Sequence, residues 1–80
     1  MIETIYVALI GRGADAWRPV QAMRRADDTF LIISKNDDPE DEAWQFSSGS
    51  LVRCDQRLLS GAMQLVAVEL VVRPGLRVVS

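Results

Sequence analysis

Residues 15–25 read Asp15-Ala16-Trp17-Arg18-Pro19-Val20-Gln21-Ala22-Met23-Arg24-Arg25, and Pro19 decides what they form. In a helix interior proline removes one hydrogen bond and clashes with the preceding turn, at a cost of about 3 kcal/mol. In a strand it is tolerated at an edge or a bulge, where no ladder needs its missing N–H. The segment is therefore expected to be an edge or bulged strand, with Ala16, Val20 and Ala22 on one face.

The flanking sequence supports the same choice. Residues 3–10 (E-T-I-Y-V-A-L-I) are rich in β-branched and aromatic types and run into Gly11-Arg12-Gly13, a strand and then a turn. Asp27-Asp28 turns the chain into residues 29–35 (T-F-L-I-I-S-K), apolar on both faces. After an acidic run, Trp44 and Phe46 share a face if Ala43–Phe46 is extended, and Ser47-Ser48-Gly49 turns the chain. Ser50 to Leu58 forms a further strand with Val52 and Cys54 on one side. Ser60-Gly61 then closes a hairpin onto Met63–Val72, where Val66, Val68, Leu70 and Val72 are expected to face inward. Pro74-Gly75 turns the tail toward a short last strand, Leu76–Val79. The expectation is one all-β domain over residues 1–80, a five- to six-stranded SH3-like barrel or strongly bent antiparallel sheet. One helical turn is expected around Pro39–Trp44, because Asp38 can cap it and Pro39 suits its first position.

Eighty residues lie near the lower size at which one core suffices, so only about 3–5 kcal/mol is expected from it unaided. A single cysteine excludes an internal disulfide, and the absence of histidine leaves zinc without a favoured ligand. Self-association is the remaining source of stability. The second face of residues 65–72 (Leu65, Ala67, Val71) and that of the first strand (Tyr6, Ala8, Ile10) are both apolar, which points to a homodimer through 65–72. Met1–Ile10 carries Glu3 and lacks a basic start and a cleavage site, so it does not read as a signal peptide. The stretch 65–72 is shorter than the roughly 20 residues that span a bilayer, and Glu69 interrupts it. A cytoplasmic setting with no membrane partner is expected, which suits a lone reduced thiol.

Trp17-Arg18-Pro19-Val20-Gln21-Ala22, Trp44-Gln45-Phe46 with Gly49, Val52-Arg53-Cys54 and Leu59-Ser60-Gly61 before Leu65-Val66-Ala67-Val68 together resemble a group of short, uncharacterised bacterial proteins. The resemblance spans residues 4–69 and implies no activity. Trp17-Arg18-Pro19-Val20 is also similar to the aromatic-x-Pro-Ala strand of Tudor and other SH3-like barrels, a likeness of fold alone.

Trp17, Arg18, Trp44 and Phe46 are the candidate partner-binding residues, an aromatic surface beside an acidic loop that would take a protein partner. The competing reading has both tryptophans capping the core. Arg18 should point away from Trp17, toward an ion pair with Glu42 or Asp41. Asp37 to Glu42 fails the EF-hand pattern, since Asp41 stands where glycine is required and Ser47 where glutamate is required, so no metal is assigned. The basic residues are eight arginines and Lys35. Arg24, Arg25, Arg53, Arg57, Arg73 and Arg77 offer an alternative role in nucleic-acid binding, against a net charge of −2. Catalysis and cofactors are not expected: there is no histidine to shuttle protons, and Cys54 sits in an apolar strand without an activating base.

Overall fold

The computed structural model describes residues 1–11, 16–37 and 40–72, with Val72 described by its backbone only. Six strands occur among them: β1 (Ile2–Ile10), β2 (Trp17–Arg24), β3 (Thr29–Ile32), β4 (Ala43–Trp44), β5 (Leu51–Leu59) and β6 (Ala62–Val72). The described residues contain no helix, and none long and apolar enough to cross a membrane. The fold is all-β, as expected from the β-branched and aromatic runs.

The sheet runs β2-β3-β5-β6-β1-β4, and a further β1–β2 pairing bends it round on itself. Five strands, β1, β2, β3, β5 and β6, thus form a ring with β4 appended to the end of β1. Neighbours round the ring are antiparallel except β6 and β1, which meet in parallel at Tyr6 and Val66. An odd number of alternating strands cannot close without one such parallel contact.

The core follows from alternation. Ile5 and Val7 of β1, Val20 and Ala22 of β2, Phe30 and Ile32 of β3, and Val52 and Cys54 of β5 are buried at every second position. Phe46 and Ala67 complete the cluster, and Trp44, Leu65 and Leu70 pack against it. The expected inward row of β6 holds for Val66, which is fully buried, and for Leu70, which packs against the core, but it is not the whole of the buried set. Leu65 and Ala67 also turn to the core, and the register shift opposite Arg53/Cys54 returns Leu70 to their side, a second shift opposite Leu51/Val52 lying beyond it. Each shift marks a bulge, where one extra residue reverses the parity of everything beyond it.

Two turns need left-handed backbone. Ser60 and Gly61 have φ of 51° and 83° between the paired residues Leu59 and Ala62, as a two-residue hairpin requires. Gly49, at φ 86°, lets the chain fold back so that its N–H donates to the Ile32 carbonyl at 2.8 Å. Where a helical turn was expected, Glu40 and Asp41 form a plain turn and Ala43–Trp44 pairs with Leu9 and Ile10 of β1. Asp38 and Pro39 lie outside the described residues, as do Arg12-Gly13, Pro74-Gly75 and the Leu76–Val79 strand.

Candidate binding site

The site begins with the part of β2 that β3 does not reach. The β2–β3 register covers only Ala22 to Arg24. The Gln21 carbonyl then accepts from the N–H groups of Ile33 (2.9 Å) and Ser34 (3.3 Å), and the Gln21 N–H donates to Ser34 Oγ at 2.7 Å. Beyond Gln21 the two chains part. The Leu9 N–H donates to the Ala16 carbonyl at 2.9 Å, so Ala16, Arg18 and Val20 direct their main-chain groups to β1. Trp17 and Pro19, in phase with Gln21, direct theirs the other way, where no strand lies beside them among the described residues. Pro19 therefore sits on an open edge with its nitrogen turned off the β1 ladder, the position its chemistry demanded.

Between Arg18 and Pro19 on one wall and residues 34–37 on the other runs a cleft of about 330 Å³, with Glu42 and Trp44 at its end. Arg18 is paired with the core residue Val7, so it stands on the inner side of the sheet, at the rim of the ring. There its Nε donates to Glu42 Oε1 at 2.6 Å and its Nη2 to Oε2, a bidentate fork. The hydrogen bond and the charge of Glu42 raise the Arg18 guanidinium above its ordinary pKa. Glu42 Oε1 also accepts from Trp44 Nε1 at 2.9 Å, and the Glu42 carbonyl accepts from Asn36 Nδ2 at 2.5 Å. Glu42 thus ties three pieces together, its carboxylate holding β2 and β4 and its main-chain carbonyl the 34–37 segment. The pairing of Arg18 with Glu42 was legible from strand alternation.

The four expected contact residues do not form one surface. Arg18 and Trp44 meet through Glu42, whereas Phe46 is only 9% exposed and belongs to the core, which removes it from any contact face. Trp17 faces outward in register with Ala8, opposite in sense to Arg18. It lines a separate pocket of about 320 Å³ with Leu58, Leu59 and Ser60 at the tip of the β5–β6 hairpin. Ser34, Lys35 and the hairpin tip were not singled out as neighbours of these residues. Only Pro19, by demanding an open edge, signalled that something other than a strand would border β2.

Besides Arg18, two arginines are engaged by carboxylates. Arg24 is held by Glu3 (Nε to Oε2, 2.6 Å; Nη2 to Oε1, 3.1 Å), and its guanidinium lies 4.7 Å from the Phe30 ring centre. The hydrogen bond from Arg24 lowers the pKa of Glu3. Arg53 binds Glu69 at 2.7 Å and Asp55 at 2.8 Å. Cys54 is 3% exposed, and burial, reinforced by Asp28 and Asp55, pushes its thiol up to about 12. Such a thiol carries almost no thiolate near neutral pH and is a poor nucleophile.

No family model, curated protein or solved structure matches this chain.

Proposed function

We propose that the protein is a non-catalytic interaction module that receives an extended segment of a partner protein along the open edge of β2. The observation that carries this reading is the parting of β2 from residues 33–34 beyond Gln21, which leaves Pro19 lining a cleft and the edge groups of Trp17 without a neighbouring strand among the described residues. An extended chain laid on such an edge gains main-chain hydrogen bonds, while flanking pockets select its side chains. Pro19 restricts the ladder to a short stretch, which also discourages indiscriminate strand pairing. Lys35 and Asp37 offer one charge of each sign to that segment from the far wall. The Arg18–Glu42–Trp44 cluster holds the near wall in place. The inert Cys54 thiol and the absence of histidine favour binding over chemistry, and a cytoplasmic setting accords with the lone thiol.

Nucleic-acid binding draws less support, because Arg18, Arg24 and Arg53 are each engaged by carboxylates and offer little free charge to phosphate. A homodimer through residues 65–72 also loses support. Val66 and Ala67 are buried, and Leu65 and Leu70 lie against the core, leaving Val71 as the large exposed hydrophobic among the described side chains of that stretch.

The test is selection from a random-peptide display library on the full chain, followed by amide shift mapping with the peptides obtained. Shifts centred on Trp17, Ser34 and Lys35 are expected. Peptides that move none of these amides overturn the reading. So does tight binding of single-stranded DNA that weakens steeply with salt.

A further inference from the structure

Among the described residues one buried side-chain polar atom has no hydrogen-bond partner: Nε1 of Trp17. A buried donor left unpaired is costly, and buried indole N–H groups normally find an acceptor. Its counterpart Trp44 does so in Glu42. The pocket that Trp17 shares with Leu58, Leu59 and Ser60 combines three large apolar side chains with a hydroxyl, and no charged residue lines it. We propose that this pocket receives an apolar side chain of the bound segment, and that a main-chain carbonyl of the same segment accepts from Trp17 Nε1–H. The inference rests on the edge-binding reading and narrows it, specifying one residue of the partner.

Three features select this occupant. First, the acceptor must be neutral: burying a carboxylate where no cation lines the walls carries a large desolvation penalty, whereas a peptide carbonyl needs one donor and meets one. Second, the pocket has four lining residues and room for a side chain, and it opens beside the same tryptophan whose main-chain groups face the open edge. A chain extended along that edge reaches both within a residue or two, since alternate side chains of a strand point to one face. Third, the wall can move. Leu58 is 67% exposed and its cross-strand partner Met63 59%, so displacing the hairpin tip to uncover the indole nitrogen sacrifices little apolar burial.

The test follows the Trp17 indole ¹H–¹⁵N resonance, assigned by its loss in Trp17→Phe, while N-acetyl-leucine methylamide is titrated into the full-length protein. A saturable downfield shift of Trp17, without one of Trp44, is expected. N-acetyl-glycine methylamide, which lacks the side chain, should bind about tenfold or more weakly. In the display-selected peptides an apolar residue should recur at a fixed position, and Trp17→Phe should weaken them by about tenfold. Peptides that shift the Trp17 and Lys35 amides yet leave the indole resonance still would overturn this inference and leave the edge-binding reading intact. An indole shift with the leucine probe, when no peptide moves the edge amides, would sustain the pocket and overturn edge binding. No shift with either probe or peptide overturns both.

Discussion

Phe46 offers the sharpest test of the fold, because the sequence offered it to a partner and the structure gives it to the core. It is 9% exposed and belongs to the same cluster as Ile5, Phe30 and Val52. An aromatic side chain of about 200 Å², nine-tenths removed from water at about 25 cal/mol per Å², contributes roughly 4.5 kcal/mol. Phe→Ala substitutions in cores cost about 3–5 kcal/mol, the cavity included. A chain of this length has about 4–12 kcal/mol of total stability. Phe46→Ala is therefore expected to remove about a quarter or more of it, and to lower the melting temperature by upwards of about 12 °C at roughly 4–8 °C per kcal/mol. Phe46→Leu, which keeps most of the volume, should cost about 1 kcal/mol. Urea unfolding followed by circular dichroism measures both, provided that the denaturant slope is unchanged. If Phe46→Ala unfolds at the wild-type midpoint while losing affinity for selected peptides, Phe46 is a contact residue and the core assignment is refuted.

Two predictions concern titratable groups. Cys54 should resist iodoacetamide at pH 8 in the native protein and react at once in denaturant. Its raised pKa makes the folded state retain a proton that the unfolded chain releases near pH 9, so its contribution to stability is full below that value and declines as pH rises toward about 12. A native protein alkylated as fast as the unfolded one would place the thiol at the surface. Glu3 has the opposite sign: Arg24 lowers its pKa, so its contribution is present above the ordinary carboxylate range and fades as pH falls through the folded value. Glu3→Gln should therefore flatten the acid limb of the stability–pH curve, and an unaltered limb would show that the Glu3–Arg24 pair has no energetic role in solution.

Much of the strand order was legible because local chemistry and fold agree along most of the chain. Pro19 excluded a helix and demanded an edge, and Ser60-Gly61 supplied the two left-handed residues of a tight hairpin. Alternation then put Val20 with Ala22 and Val52 with Cys54 on common faces, which are buried, and turned Arg18 away from Trp17 toward Glu42 or Asp41, of which Glu42 holds it. The inward face of β6 was legible at Val66 and Leu70 but not at Leu65 and Ala67, because its apolar residues run almost continuously and an alternating pattern cannot locate a bulge within them. Nor was the placement of Ala43–Trp44 on β1. Two residues carry too little pattern to specify a partner, and the pairing depends on Gln45 N–H reaching the Ala8 carbonyl at 2.8 Å. The division of the candidate site followed from both limits. Phe46 joined the contact residues because an extended Ala43–Phe46 puts it on the face of Trp44, and the meeting of Trp17 with the hairpin tip joins residues about 40 positions apart that no local signal connects.

The parallel contact of Tyr6 with Val66 joins positions about 60 residues apart. Every other junction of the ring involves strands nearer in sequence, so this seam is the last that a growing structure can zip and the one whose closure loses the most chain entropy. It is also narrow, a single registered pair, and Val66 is wholly shielded only while it holds. Fluctuations of the native protein should thus begin by unlatching β1 from β6, with amide exchange fastest along that line and slowest across the broad β5–β6 ladder.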